Sequence, residues 1–382
     1  MIIYLTYNDQ PSGVYWSQVT DVVAHLNGHN GPAVRLVAFV SLRGFWATRS
    51  AIKQRSPSAW VVPMVPRMKR WKWNAFTLAL LCMLLRPTGI ISRGVFATCM
   101  ALRMRTTGRT NAVCFDGRGA YAAEWEEYRL IDDDPLIASI RPLEQEAVSR
   151  SDFRLAVTEA LVVHWRERYG YVGDQHIVVP CTLGKDHAVW VQGGGAPQRA
   201  GTPYLEDDVV LVYSGSTAGW QSFGLLENLL RDVLEHQPKV KVLFLAKPDP
   251  NTATLQASYP DRVRVEWISP KEVARWLAIA DHGIMVREDT LTNRVASPTK
   301  FAEYLAAGAA VLVSQGLGDF SSLVQRDALG AVVHPTHPLP VFLRTTSTDR
   351  QRLAKYAERH FTKGAYYHQY GRLLAALSGA AH

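Results

Sequence analysis

The chain has 382 residues, which is too long for one hydrophobic core and suits two domains of roughly 180 residues each. Its 47% hydrophobic and 20% charged composition is that of a globular protein and excludes a disordered or fibrous chain. Four cysteines without paired or Cys-x-x-Cys spacing exclude a disulfide framework and a cysteine zinc site, and they favour a reducing compartment.

The first half of the chain predicts alternating strands and helices. It begins with an apolar strand over residues 2–6, without the basic start and cleavage site of a signal peptide, so none is expected. The longest apolar run, residues 75–85, is too short to span a bilayer. Further strands are predicted at 34–40, 60–63, 89–92, 112–115, 153–157 and 177–179, and helices at 14–26, 75–85, 95–105, 136–150 and 159–169.

The second half repeats this pattern after a Gly/Pro-rich stretch at residues 192–203, which is the clearest domain boundary. Strands are predicted at 209–214, 240–246, 263–266, 282–286 and 311–313, with helices at 222–236, 270–279 and from 298, and a last helix at 348–377. Apolar strands that alternate with helices predict an α/β protein with two doubly wound parallel sheets. The predicted division is a first domain over 1–190, a linker over 191–204, a second domain over 205–345 and a C-terminal helix within 346–382.

Residues 297–313 contain the most informative motif. Ser297 is a favourable N-cap and Pro298 suits the first helical position, before a glycine ends the helix and a buried strand follows. The free backbone N–H groups at such a helix start bind anions, and Lys300 and Glu303 lie near the same end. Glu303 can accept both hydroxyls of a ribose while the N–H groups hold a diphosphate, which predicts a nucleotide site. The alternative is an ordinary strand–helix unit with a solvated Glu303.

Residues 300–308, Lys-Phe-Ala-Glu-Tyr-Leu-Ala-Ala-Gly, resemble a segment of the nucleotide-sugar-dependent GT-B glycosyltransferases, in particular family-4-like members of bacterial polysaccharide pathways. The resemblance extends loosely over residues 209–333 and more weakly over the N-terminal half. It implies two Rossmann-like domains that face each other across a cleft, and a last helix that crosses back to the first domain. It also implies Glu303 as a ribose ligand and metal-independent transfer with retention, from a UDP- or GDP-linked sugar and without a cofactor.

The chain departs from the family pattern at Val295, eight residues before Glu303. The usual pattern has a Glu at this position, which contacts the donor sugar. Either Glu288 or Asp289 replaces it from the preceding loop, or the donor sugar is held differently.

Other donor contacts are predicted at strand ends. Residues 214–216 follow a strand and precede a helix, where glycine lets the backbone approach phosphates closely. The Arg/Lys pair of many family members is replaced by Trp220 and Gln221, so basic residues elsewhere must neutralise the phosphates, unless those cations are only solvated. The predicted donor-binding residues are Ser214, Gly215, Ser216, Lys247, Arg287, Ser297, Pro298, Thr299, Lys300 and Glu303.

The acceptor side is predicted at two turns of the first domain. Asp116 ends a strand where related enzymes place an acidic or His side chain, so it is a candidate to orient or deprotonate the acceptor hydroxyl. Arg118 could hold Asp116 or an acceptor phosphate, and the alternative is a structural Asp–Arg turn pair. Ser12 and Gly13 resemble the glycine turn that lines the cleft opposite the donor.

Metal chemistry is not expected. The run Asp132-Asp133-Asp134 looks like a metal-binding D-x-D motif, but it precedes Pro135 at the head of a helix, so N-capping is predicted. The histidines lack ligand spacing and no G-x-S-x-G elbow is present, so a metal site and hydrolase chemistry have no support.

A basic region without acidic residues lies between Asp21 and Asp116 and contains fourteen Lys or Arg. Its densest part is the basic segment, residues 67–73, in which cations and two tryptophans adjoin an apolar helix. This combination predicts contact with an anionic membrane and a cytoplasmic protein held peripherally at the inner face of the cell membrane. The alternatives are a nucleic-acid surface, for which no fold signature is present, or a solvated face over a core helix. The predicted contact residues are Arg67, Lys69, Arg70, Trp71, Lys72 and Trp73.

Together these patterns predict a glycosyltransferase that moves a sugar from a nucleotide donor to a glycan or lipid-linked acceptor. A nucleotide-sugar epimerase of the same fold and a non-catalytic sugar-nucleotide binder are the alternatives. The products separate them, because only a transferase makes a new glycosidic bond.

Overall fold

The computed structural model describes residues 1–188, 199, 201–215, 221–269, 271–334 and 339–379. Strands and helices alternate along both halves of the chain. In the first half they are β1 Ile2–Tyr7, α1 Gly13–Tyr15, α2 Asp21–Leu26, β2 Val34–Val40, α3 Phe45–Arg55, β3 Trp60–Pro63, α4 Trp71–Leu85, β4 Gly89–Arg93, α5 Val95–Thr106, β5 Ala112–Gly117, α6 Tyr121–Tyr128, α7 Asp134–Arg150, β6 Phe153–Ala156, α8 Glu159–Tyr169 and β7 His176–Val178.

The second half continues the same alternation. Its elements are α9 Lys185–Ala188, β8 Val209–Ser214, α10 Phe223–His236, β9 Val240–Leu245, α11 Pro250–Ser258, β10 Val263–Glu266, α12 Val273–Leu277, β11 His282–Met285, α13 Leu291–Arg294, α14 Thr299–Ala306, β12 Ala310–Ser314, α15 Phe320–Arg326, β13 Gly330–Val333, α16 Ser347–Phe361 and α17 Tyr367–Ser378.

The chain forms two compact units. The first contains Met1–Thr182, Val295–Ser297 and the chain from Tyr366 onward, and the second contains Leu183–Arg294 and Pro298–Ala365. The predicted linker falls largely outside the described residues, so its boundaries stay a prediction.

The first unit contains a parallel sheet with the strand order β3-β2-β1-β4-β5-β6-β7. Every residue of β1 is buried, as expected for a central strand covered on both faces. The last helix, α17, packs against strands β4 to β7 of this sheet. Its Leu377 lies so close to Gly89 that a Cβ there would come within 2.7 Å of the leucine side chain.

The second unit contains a parallel sheet with the order β10-β9-β8-β11-β12-β13. One face packs against α14, α15 and α16, and the opposite face packs against α10 and α11. The α/β prediction with two parallel sheets is therefore confirmed. The single last helix predicted over 348–377 was wrong: Thr362 has an extended backbone and a 3-10 turn, Gly364–Tyr366, separates α16 from α17.

The strand order reverses once in each sheet, between β1 and β4 in the first unit and between β8 and β11 in the second. In open parallel sheets, ligands bind outside the carboxyl ends of the strands at such a reversal, because the loops there diverge and leave a crevice. These two edges are therefore the expected positions of functional side chains.

Candidate functional site

In the second unit, the end of β8 is fixed to α14. The Ser214 N–H donates to the Tyr304 hydroxyl at 2.9 Å, and the Lys300 ammonium donates to the Ser214 hydroxyl at 3.4 Å. Tyr304 can lie flat against the sheet because Gly283 has no side chain, and a Cβ there would come within 2.2 Å of the tyrosine ring. Gly215 lies beside the Lys300 chain, with 3.1 Å between an added Cβ and Cε. The structure thus brings together three of the predicted donor-binding residues, Ser214, Gly215 and Lys300.

The helix α14 begins one residue later than predicted. Its N-cap is Pro298, and no side chain caps it. The Ser297 hydroxyl, which was predicted to cap the helix, instead accepts the Cys181 N–H at 2.8 Å. The first N–H of the helix to bond inward is that of Phe301, which donates to the Pro298 carbonyl at 3.2 Å. The amides of Thr299 and Lys300 therefore precede the helical hydrogen bonds, as an anion site requires.

Two cations and a carboxylate surround this helix start. Burial lowers the pKa of Lys300, Glu303 opposes this effect and Arg287 adds to it. Arg287 is buried and donates to Gln221 at 3.2 Å and to Asn293 at 3.4 Å. A diphosphate between two partly desolvated cations would be held strongly, because charge-assisted hydrogen bonds strengthen where water is excluded.

One predicted donor residue, Lys247, is not part of this cluster. Lys247 follows β9 and its side chain is exposed, and no described contact joins it to the cluster. Ser216 lies outside the described residues. Sequence reasoning missed Gln221 as an Arg287 partner, although it stands where the family's basic pair was sought.

The position that lacks the expected Glu is closed to a ligand. Val295 is 2% exposed and its carbonyl accepts the Thr158 hydroxyl at 2.9 Å. The two proposed replacements, Glu288 and Asp289, instead line a cavity of about 720 Å³ at the carboxyl ends of β11 to β13. Arg294 donates to both Asp289 oxygens, at 2.6 and 2.9 Å, and these bonds lower the Asp289 pKa.

In the first unit, Asp116 is completely buried at the end of β5. Arg118 contacts both of its oxygens, with Nε 2.7 Å from Oδ1 and Nη2 3.0 Å from Oδ2. The Tyr4 hydroxyl donates to Oδ2 at 2.5 Å. This geometry suits Asp116 to hold Arg118, and the prediction that it acts on the acceptor hydroxyl stays a prediction.

A cavity of about 230 Å³ lies at the carboxyl ends of β1, β4 and β5, where the first sheet reverses its order. Its charged lining residues are Asp9, Arg93 and Arg118. Arg93 Nε lies 3.4 Å from Asp9, and its Nη1 lies 3.9 Å from Asp116 and is buried without a hydrogen-bond partner. Burial raises the pKa of Asp9, and Arg93 opposes this shift.

Sequence reasoning missed Asp9 and Arg93, although each stands where a strand ends and such positions meet at one edge of a parallel sheet. The predicted acceptor residues Ser12 and Gly13 do not line this cavity. They are exposed, and the Ser12 hydroxyl accepts the Tyr15 N–H at 3.4 Å as the N-cap of α1.

The predicted N-cap in the acidic run is confirmed, because Asp133 accepts the Leu136 N–H at 3.0 Å at the start of α7 and also pairs with Lys69. Among the described residues, no group of three or more His, Cys, Asp or Glu is arranged to hold a metal ion.

The helix α4 has two different faces. Trp71 is 6% exposed and lies under Arg103, whose guanidinium is 4.7 Å from the ring centroid, so its predicted contact with a membrane was wrong. The four cations of the basic segment are exposed. A stripe of apolar side chains on the opposite face is also exposed by 51 to 70%, namely Trp73, Phe76, Leu80, Met83 and Leu84. No helix in the described part of the chain is both long and apolar enough to cross a membrane.

The structure is similar over its whole length to solved GT-B proteins. Sucrose-phosphate synthase from Thermosynechococcus elongatus gives a TM-score of 0.69 at 14% identity, with 100% of both chains covered. A glycosyltransferase from Rickettsia africae ESF-5 gives 0.68 at 12% identity, with 100% of this chain and 99% of that one covered. HepE of Anabaena, in complex with UDP and glucose, gives 0.65 at 11% identity, with 98% and 100% covered.

No protein-family model matches the sequence, and no curated protein matches it. The similarity therefore establishes the fold, a GT-B fold with two Rossmann-like domains, as the sequence predicted.

Proposed function

We propose that the protein is a metal-independent glycosyltransferase of the family-4-like type, which transfers a sugar with retention from a nucleotide donor to a glycan or lipid-linked acceptor. The observation that carries this proposal is the cluster at the start of α14. There, free amides, two cations and a carboxylate meet the end of β8 within a GT-B fold. The donor is proposed to be a UDP- or GDP-linked sugar, and the structural neighbour HepE, solved in complex with UDP and glucose, supports the UDP-linked alternative.

The donor nucleotide is proposed to bind with its diphosphate on the amides of Thr299 and Lys300. The Lys300 ammonium and the Arg287 guanidinium neutralise the phosphate charge, and Glu303 accepts the ribose hydroxyls. No cofactor or metal is required in this scheme, because the two cations and the helix start stabilise the leaving diphosphate.

The donor sugar is proposed to enter the cavity beside Arg287. Its volume of about 720 Å³ lies within the usual range for small-molecule sites. Glu288 and Asp289 line it and supply carboxylate oxygens for sugar hydroxyls, which supports their role in place of the missing Glu at Val295. Arg294 pairs with Asp289 at the rim of this cavity.

On the acceptor side, Asp116 and Arg118 are proposed to act as a pair. Arg118 lines the small cavity of the first unit, and Asp116 fixes its orientation from beneath. The acceptor hydroxyl oxygen forms a bond to the anomeric carbon while the bond to the diphosphate breaks. The diphosphate leaves with that electron pair, and the hydroxyl proton is transferred to its oxygen.

We further propose that the protein works at the inner face of the cell membrane, on an acceptor linked to lipid. Exposed cations of the basic segment suit anionic headgroups, and the exposed apolar stripe of α4 suits the acyl boundary. Met68 of the same segment lines the small cavity and accepts a hydrogen bond from the Tyr7 hydroxyl at 3.0 Å. A lipid-linked acceptor would thus reach the cavity from the membrane-facing segment.

A thermal-shift screen with UDP- and GDP-sugars tests the proposal. A ligand at a hundred times its dissociation constant stabilises the folded state by about 2.7 kcal/mol, so the correct donor raises the melting temperature visibly. Product analysis by NMR with that donor and a saccharide acceptor should then show a new glycosidic bond. An epimerised sugar would identify an epimerase, and binding without any product would identify a non-catalytic binder.

A further inference from the structure

The small cavity of the first unit has the position of a ligand site. It lies outside the strand ends at the reversal of the sheet, where β1 and β4 are neighbours. The loops that follow these strands contribute Asp9 and Gly94. Gly94 has φ +78°, a left-handed conformation that glycine adopts without strain, and it leads directly into α5. Val95, Phe96 and Ala97 line the cavity, and they occupy the first turn of that helix.

The formal charges around the cavity cancel. Arg118 is neutralised by Asp116, to which it makes two close contacts. Arg93 carries one positive charge and Asp9 one negative charge, and their only close contact is 3.4 Å long. The attraction of a phosphate or carboxylate to Arg93 would therefore be largely cancelled by its repulsion from the Asp9 carboxylate.

Both members of this loose pair retain hydrogen-bonding capacity. The Nη1 of Arg93 is a buried donor without a partner, which is costly unless a ligand satisfies it. The Asp9 side chain is 29% exposed and has lone pairs that Arg93 does not use. A hydroxyl group both donates and accepts, so adjacent hydroxyls of one molecule can satisfy Asp9 and Arg93 together.

Four aromatic side chains also line the cavity, namely Tyr7, Phe96, Tyr121 and Trp125. Phe96 and Trp125 pack edge to face with their centroids 6.0 Å apart, and Phe96 also contacts Tyr7 at 6.1 Å. Such walls suit a ring with an apolar C–H face. A volume of about 230 Å³ equals the liquid share of roughly eight water molecules, which is enough for one sugar ring.

We infer that this cavity binds one uncharged sugar ring, with its hydroxyls on Asp9 and Arg93 and its C–H face against Phe96 and Trp125. In the proposed transferase it is the subsite for the acceptor's reacting sugar, and only this acceptor role rests on the proposed function. Asp9, and not the buried Asp116, is then the carboxylate that contacts the acceptor. A lipid-linked acceptor would place its terminal sugar here and its charged diphosphate outside the cavity.

Saturation-transfer NMR on the full chain tests the inference directly. Aromatic protein protons are saturated, and the transfer of saturation to an added sugar is measured. The neutral probes are methyl glycosides of hexoses, and the anionic probes are glucose 6-phosphate and glucuronate. Three proteins are compared: the wild type, Asp9→Asn and the control Asp174→Asn, which makes the same charge change at an exposed loop of the same unit. Circular dichroism and a UDP titration check that each variant is folded and that its nucleotide site is unchanged.

We expect transfer to a neutral hexose in the wild type and the control, and an affinity at least about tenfold weaker in Asp9→Asn, because a hydrogen bond to a charged group is lost. Transfer to the anionic sugars alone would overturn the uncharged class, and equal binding by all three proteins would overturn the role of Asp9. No transfer at any concentration up to saturation of the probe would overturn the subsite. UDP binding is measured separately, so failure of the sugar subsite and failure of the proposed function give different results.

Discussion

Replacing Glu303 by Ala tests the ribose contact. Glu303 is half-buried on α14, one turn from the amides that are proposed to hold the diphosphate. Alanine keeps the helix, since it is the best helix former, so the fold should persist. The lost interaction is a hydrogen bond to a charged group, which contributes about 1.5–3 kcal/mol. We therefore expect the affinity for UDP or GDP, whichever binds, to fall by roughly ten- to a hundredfold.

Calorimetric titration of the free nucleotide gives this number without any need for an acceptor. The matched control is Glu358→Ala, which removes the same charge from an exposed position of α16 in the same unit. The nucleotide affinity of Glu303→Gln should lie between those of the wild type and Glu303→Ala, because the amide oxygen still accepts a hydrogen bond but carries no charge. Equal affinities for wild type, Glu303→Ala and the control would refute the ribose contact.

Three other outcomes are expected. Asp116→Asn should lower the free energy of unfolding by about 3–5 kcal/mol, because it leaves the Arg118 charge buried without its partner. It should also slow turnover by on the order of a hundredfold, because Arg118 loses the carboxylate that orients it. Denaturant titration and initial rates measure the two effects, and wild-type values would contradict this role of Asp116. Replacing the four cations of the basic segment by Gln should remove about 4 kcal/mol of binding free energy to anionic vesicles. Wild-type binding should decline as the salt concentration rises. Equal co-sedimentation of both proteins would show that the segment is an ordinary solvated surface. Burial raises the pKa of Glu144 to about 7, although the N–H groups that Tyr121 and Ala122 donate to it oppose this shift. The contribution of Glu144 to stability is therefore full below its unfolded pKa and is lost as the pH rises through about 7. Glu144→Gln should make the melting temperature depend less on pH between about pH 5 and 8, and an unchanged pH profile would contradict this.

The sequence predicted the sheets well because their strands are continuous apolar runs that need two covered faces. β1 and β8 are buried at every position and were predicted within one residue. The helix α3 escaped prediction because only Ile52 is buried among its residues, so its apolar periodicity is weak. The break before α17 was missed because Thr362 and the following turn interrupt a pattern that otherwise continues.

The donor site was predictable because its parts are close in sequence or follow a strand directly. Lys300 and Glu303 share one helix, and Ser214 ends the strand beside it. The acceptor side was harder to predict from the sequence. Asp116 is buried by Tyr4, which lies 112 residues earlier, and Arg93 meets Asp9 across 84 residues. Only the order of the strands brings these residues together, and no local pattern contains that order.

Hydrogen–deuterium exchange with and without UDP or GDP tests the central claim most directly, because it locates the nucleotide on the chain. The account predicts slower exchange at the amides of Thr299 and Lys300 and at the end of β8, with the sheet of the first unit unchanged. The same protection should be weaker in Glu303→Ala at a nucleotide concentration just sufficient to saturate the wild type. Nucleotide binding that protects other segments and leaves the start of α14 unchanged would contradict the account.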